Sequence, residues 1–147
     1  AKILLPVLRE WIDGKIVPEK QEHSKATYCW QKDISKEKAE IQWDMYNPEY
    51  IERMVRAFLP WPVVWTRLPK SENKNLSEKI IKIYKAEVVD CKNIYNEVGK
   101  LFVKEENLLF TTKDTDRCLR LIEFQIEGRN ITNTEDFLKG LGRNLVH

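Results

Sequence analysis

Histidine and cysteine carry most nucleophilic and metal chemistry near neutral pH, and this sequence spends few of either. His23 lies in a polar stretch and His147 is the last residue. Neither a catalytic triad nor a histidine-rich metal site is expected from that pair in those contexts. Cys29, Cys91 and Cys118 are odd in number and widely spaced, which fits neither a disulfide framework nor a Cys-x-x-Cys half-site. Free thiols in a reducing compartment are the expectation. No catalytic and no metal-ligating residue is predicted in this chain.

Positive charge offers more. The formal net charge is only +2, from 25 Lys and Arg against 23 Asp and Glu, too small by itself to mark a nucleic-acid binder. Residues 67–85, however, contain Arg67, Lys70, Lys74, Lys79, Lys82 and Lys85 against only Glu72 and Glu78. Cations on one side of a rigid scaffold can replace the counterions of a phosphate backbone. Taken singly, each is an ordinary solvated surface charge. The five tryptophans raise a second possibility, since base stacking on an aromatic ring is worth ~1–3 kcal/mol. Their contexts argue against it. Trp11 belongs to an apolar helix face, and Trp43, Trp61 and Trp65 lie beside apolar, turn-forming sequence that predicts core positions. Trp30, in a polar stretch, is expected to pack on the domain that follows.

These residues need a scaffold, and 147 residues with 42% apolar and 33% charged side chains make one folded domain with appendages. No apolar run approaches the ~18 residues of a membrane span, and no signal-peptide pattern opens the chain. A cytoplasmic protein without membrane contact is expected. Leu4, Leu5, Leu8, Trp11 and Ile12 repeat at helical spacing up to Gly14, with Pro6 tolerated only if it falls in the first turn. Residues 15–33 read as a polar linker. Ser35 can cap a short turn, and residues 41–44 alternate as a brief extended piece. A second helix begins at the Asn47 cap and Pro48, with Ile51, Met54, Val55 and Phe58 on one face. It must stop by Leu59, because Pro60 disfavours helical geometry before it. Trp61 between Pro60 and Pro62 reads as a fixed corner filled by the indole.

Five strands are predicted at residues 63–68, 80–89, 98–103, 108–112 and 119–126, rich in β-branched, aromatic and aliphatic side chains. In the second, the apolar set passes from Ile81 and Ile83 to Tyr84, Ala86 and Val88; in the fifth, from Leu119 and Leu121 to Ile122, Phe124 and Ile126. Such a change of phase reports either a β-bulge or burial on both faces. A short helix with Thr134 as cap, carrying Phe137, Leu138 and Leu141 up to Gly142, ends the pattern. The predicted class is mainly β with flanking helices: a small open barrel preceded by one helix and closed by another.

Three segments, "DISKEKAEIQWD" at 33–44, "VRAFLPWPVVWT" at 55–66 and "LRLIEFQIEGRNITNTEDFLKG" at 119–140, resemble the C-terminal domain of methionyl-tRNA formyltransferases. The resemblance implies an open OB-like barrel over residues 34–147. It also implies that residues 1–14 are the last helix of a missing N-terminal catalytic domain, so that the chain is an excised fragment. The family's full enzyme transfers a formyl group from 10-formyltetrahydrofolate to initiator methionyl-tRNA with an Asn-His-Asp set in that other domain, so this chain is expected to be inactive alone. Departures exist: Leu59 replaces an Asn of the family corner, Asp33 a Lys, and Glu40 a frequent basic residue. The implied role is to hold tRNA, with Lys32, Lys36, Lys38, Arg67, Lys79, Lys82, Lys85 and Arg129 as candidate contacts. Two other readings stand beside it: the related domain of an amino-sugar formyltransferase, and a stand-alone binding module that self-associates through residues 1–14. If residues 1–14 are a remnant, deleting them should raise solubility and leave the melting temperature unchanged in a thermal denaturation scan.

Overall fold

The computed structural model describes residues 2–70, 76–91 and 97–140, and the chain divides into two units, residues 1–30 and 31–147. In the first, α1 (Leu4–Ile12) places Pro6 inside its first turn, where a missing N–H is harmless. Gly14, at φ +69, ends it with its N–H on the Trp11 carbonyl, the left-handed stop that glycine supplies. None of the helix's residues is buried. The following residues are irregular apart from a 3-10 turn at His23–Lys25, and the rings of Tyr28 and Trp30 stack 6.2 Å apart.

The second unit opens on a 3-10 turn at Gln31–Asp33 and a tighter turn that Ser35 caps, its hydroxyl accepting from Lys38 N–H and its carbonyl from Ala39 N–H. In α2 (Pro48–Ala57) the Asn47 side chain accepts from Tyr50 N–H at 2.8 Å. Ile51, Met54 and Val55 are buried on one face, and Phe58 closes the helix half-buried. Six antiparallel strands follow: β1 (Val64–Arg67), β2 (Ile80–Asp90), β3 (Leu101–Lys104), β4 (Asn107–Thr111), β5 (Arg117–Ile126) and β6 (Thr132–Asn133). Their order is β1-β2-β5-β4-β3, with β6 also on β5. β1 and β3 end the path and are not paired with each other among the described residues, so the sheet is open. A last helix, α3 (Thr134–Gly140), completes the described chain; the expected continuation through Leu141 to Gly142 lies outside the described residues, as do Glu72, Lys74 and His147.

The change of phase is a pair of bulges. Ile83 faces Phe124, Lys85 faces Glu123 and Ala86 faces Leu121. Tyr84 is therefore the extra residue on β2 and Ile122 the extra residue on β5. The offsets cancel, and the ladder resumes in its original register. Both-face burial also occurs, at one end of the sheet. The main core gathers Ile81, Ile83, Phe110, Leu119, Leu121, Phe124 and Ile126 with the α2 face and Phe137 of α3. Cys91, Phe102, Leu109 and Cys118 form a second, smaller cluster.

Several local expectations need correction. The extended piece expected at residues 41–44 is not a strand: the one parallel bridge, Glu40 to Trp65, lies just before it, and the chain turns from residue 43. β3 starts at Leu101 rather than 98, because Gly99 sits at φ +76 with the Trp43 ring where a Cβ would be, 2.7 Å away. A sixth strand of two polar residues offers no alternation to detect. Asn133, not Thr134, caps α3: its side chain accepts from Asp136 N–H at 2.8 Å and donates back to the Asp136 carboxylate. Thr134 instead gives its hydroxyl proton to the Leu121 carbonyl.

The corner at residues 58–63 holds the largest correction. Val63 N–H bonds the Phe58 carbonyl at 3.1 Å, and the Leu59–Pro60 and Trp61–Pro62 peptides are both cis. That closure buries Pro62 and Val63 at the base of the loop and carries residues 59–61 outward, so Trp61 is 58% exposed. It does not fill the core. Trp43 does pack on the core, 4.7 Å from Phe110 with its N–H on the Thr66 hydroxyl. Trp65 is half-buried outside it.

No helix among the described residues is long and apolar enough to cross a membrane. Burial separates side chains whose truncation is costly from those whose truncation is not. Phe124→Ala should destabilise the domain by about 3–5 kcal/mol, whereas Trp61→Ala should stay within about 0.5 kcal/mol, both read from urea denaturation midpoints. The thiols divide in the same way. Cys91 and Cys118 are buried, Cys29 is exposed, and burial first, then the Cys91 thiol beside it, pushes the Cys118 thiol up. An aromatic disulfide reagent should therefore modify one cysteine rapidly in the native protein and all three only after denaturation.

Candidate nucleic-acid interface

Strand geometry decides which cations share a surface. β1 alternates, with Val64 and Thr66 buried and Trp65 and Arg67 facing out. Residues opposite one another in an antiparallel ladder project from the same face. Trp65 faces Lys82, Lys82 faces Gln125, and Arg67 faces Ile80, so Trp65, Lys82 and Gln125 form an outward row across three strands. Lys82 is exposed between buried Ile81 and Ile83. Beyond the bulge, Lys85 is exposed beside buried Ala86 and therefore projects on the same outward side.

The lead-in turn joins this face through Trp65. Its indole N–H donates to the Lys36 carbonyl at 2.8 Å. Its backbone N–H donates to Ala39 O at 3.0 Å, and its carbonyl accepts from Ile41 N–H at 2.9 Å. Residues 36–41 are thus stitched along the outer edge of β1. On the other side, Gln125 accepts from the Tyr84 hydroxyl and donates to the Arg129 carbonyl at 2.9 Å, which ties the Glu127–Gly128–Arg129 turn to the same row.

Of the eight predicted contacts, Arg67, Lys82 and Lys85 lie together on the outer face, and the backbones of Lys36 and Arg129 are hydrogen-bonded to it. Lys79 precedes β2, half-buried, with its carbonyl accepting from Leu68 N–H. The Arg67 guanidinium reaches the neighbouring Glu78 carbonyl at 3.0 Å. Lys38 is bound to Asp33 at 2.7 Å, and Lys32 stays exposed in the preceding 3-10 turn.

Negative groups bound the patch. Glu123 faces Lys85, and the Glu127 carboxylate accepts from Ile80 N–H at 3.1 Å. The Ser35 hydroxyl beside Glu37 holds its carboxyl below the usual carboxylate range, so a fixed negative charge stands between Lys36 and Lys38. Farther along, Arg120 pairs with Glu87 opposite it, and the positive face ends there. Trp65 and Gln125 of the row, and Tyr84 hydrogen-bonded to it, escape a search for cations. Only the Trp65–Arg67 alternation against buried Val64 and Thr66 could have shown Trp65 facing out.

A cleft of about 190 Å³ lies nearby, with Arg129, Asn130, Thr132 and Asp136 on its rim and Ile126 and Phe137 below. It is smaller than the ~300–1,000 Å³ of ordinary small-molecule sites. Among the described residues no group of three or more His, Cys, Asp or Glu is placed to hold a metal ion.

Residues 33–142 match the family described as "Formyl transferase, C-terminal domain". Among curated proteins, the chain is 30% identical over 143 residues to the methionyl-tRNA formyltransferase of Bacillus licheniformis and 32% identical over 143 residues to that of Streptococcus pyogenes serotype M3. Each alignment takes in 97% of this chain and 41% of the relative, so the chain spans about two fifths of the relatives' length. Among solved structures, HypX from Aquifex aeolicus in complex with tetrahydrofolic acid matches over 99% of this chain and 24% of its own, at 15% identity and a TM-score of 0.54. That likeness is one of fold alone.

Proposed function

This chain belongs to the family of formyltransferase C-terminal domains, and from that premise we propose that it holds tRNA through the outer face of β1 and β2. The observation that carries the reading is the cation row: Arg67, Lys82 and Lys85 project from one side of a rigid sheet, with the Lys36 turn stitched alongside. Phosphate binding needs positive charge whose spacing is set before the ligand arrives, and an open curled sheet with a lysine-bearing face provides it. Local acids, Glu123 and Glu127 above all, keep the field modest. Weak, salt-sensitive holding suits a domain that assists a larger enzyme.

The relatives' name, methionyl-tRNA formyltransferase, favours initiator methionyl-tRNA as the partner over an amino-sugar nucleotide. In this reading the formyl donor, 10-formyltetrahydrofolate, and the reacting amino group meet in an N-terminal catalytic domain. α1 is the end of that domain, and the apolar face of Leu4, Leu5, Leu8, Trp11 and Ile12 is what it buries there. This chain's contribution is orientation. Its cations hold the tRNA backbone while the acceptor end reaches the catalytic domain, and no proton or group is moved by the residues described here. A cytoplasmic, translation-initiation setting follows from the same reading.

The test is a titration of the chain with initiator and elongator tRNA at two salt concentrations. Affinity should fall as salt rises, with a slope of roughly −0.7 to −0.9 per phosphate contact. Lys82→Ala and Lys85→Ala should each weaken both tRNAs to similar extents and reduce that slope by about 1. No binding even at the lower salt would overturn the reading.

A further inference from the structure

Trp65 is the residue at which the lead-in turn and the cationic strands meet. Three hydrogen bonds run from it to residues 36–41: indole N–H to Lys36 O, backbone N–H to Ala39 O, and Ile41 N–H to its own carbonyl. On its other side the β1–β2 register sets it opposite Lys82. Its backbone bonds would survive in any residue that continues the strand. The indole bond would not, and it reaches the carbonyl of Lys36, three residues before the nearest backbone tie at Ala39. The ring is half-buried but absent from the core cluster, so core packing does not explain an indole at this place.

We infer that Trp65 is a positioning residue: its indole N–H, anchored on the Lys36 carbonyl, holds the lead-in turn so that Lys36 and the Lys82 side of the sheet engage one stretch of phosphate backbone. This rests on the tRNA-holding reading above. The physical reason is preorganisation. A lysine on a loose turn pays ordering entropy when it binds, and one whose backbone is already fixed does not. The bond is local, spanning only the strand edge and the turn, so its loss should loosen residues 36–38 without disturbing the sheet. The indole thus acts on RNA through Lys36 rather than by stacking on a base.

A double-mutant cycle on the full chain tests this, with tRNA affinity measured across a salt series. Trp65→Phe keeps an aromatic ring and removes the N–H. Replacement by benzothienylalanine at the same position, which exchanges the N–H for sulfur at nearly constant shape, serves if the phenylalanine variant does not fold. Lys36→Ala in the native background should weaken binding several-fold and lower the salt slope by about 1. In the Trp65 variant the slope should already be lower, and adding Lys36→Ala should change affinity less than twofold. Lys85→Ala should keep its whole effect in both backgrounds, which a general loss of structure would not permit. If Lys36→Ala retains its whole effect without the indole N–H, the positioning role is wrong while tRNA holding stands. If neither Lys36→Ala nor Lys85→Ala weakens binding in the native background, the tRNA-holding reading fails, and this inference with it.

Discussion

The ladder between β2 and β5 is the constraint on which the rest depends. These are the two longest strands, they occupy the middle of the sheet, and each carries one extra residue, Tyr84 and Ile122. In a regular strand, side chains alternate without exception, so Lys82 and Lys85, three positions apart, would lie on opposite faces. The bulge removes that conflict. Ile81 and Ile83 point inward before it and Ala86 after it, which leaves both lysines on the solvent side. One inserted residue thus continues the core and assembles the cationic face at once, and the local bend it introduces helps the open sheet curl.

Around this ladder the helices and corners act as fasteners. α2 lays Ile51, Met54 and Val55 on the inner face, and α3 adds Phe137 edge-on to Phe124 at 5.2 Å. Trp43 closes another flank, held by the Thr66 hydroxyl and packed so near Gly99 that no side chain fits there. The loop at residues 58–63 reverses the chain between α2 and β1 with Val63 at φ +64, a conformation that β-branched residues rarely adopt. The result is a sheet whose inner face is sealed and whose outer face is free to carry charge. The lead-in turn, fixed to β1 by Trp65, extends that outer face past the last strand.

Much of this was legible in the chain itself. α2 could be read because its cap, its first-turn proline and its i, i+3, i+4 apolar set agree with one another. The five longer strands could be read because β-branched and aliphatic runs are separated by polar stretches. The bulges were visible as a slip in the apolar phase. Less legible were features whose cause lies in contacts. Trp61 and Trp65 were expected in the core because indoles are large and apolar, yet an indole also carries a polar N–H and tolerates an interface. Local closure at Val63 turned one outward, and the strand's alternation did so for the other. Asn133 and Thr134 are both acceptable caps by type, and only the Leu121 carbonyl claiming the threonine hydroxyl separates their roles. The sites of the eight basic residues were equally hidden, since the pattern shows which are cationic but not which ladder positions they oppose.

By itself, then, the sequence determined the class of fold, the membership of the family through three ordered motifs, and the small number of histidines and cysteines. Those properties rest on residue type and on spacing along the chain, which periodicity and turn chemistry translate directly. Tertiary structure alone decided which cations share a face. Lys36 and Lys82 are distant in sequence and are linked through Trp65, which β1 sets opposite one and whose indole is hydrogen-bonded to the other. Register is a pairwise property of two strands, fixed by the burial of both inner faces at once, and no single stretch of chain contains it.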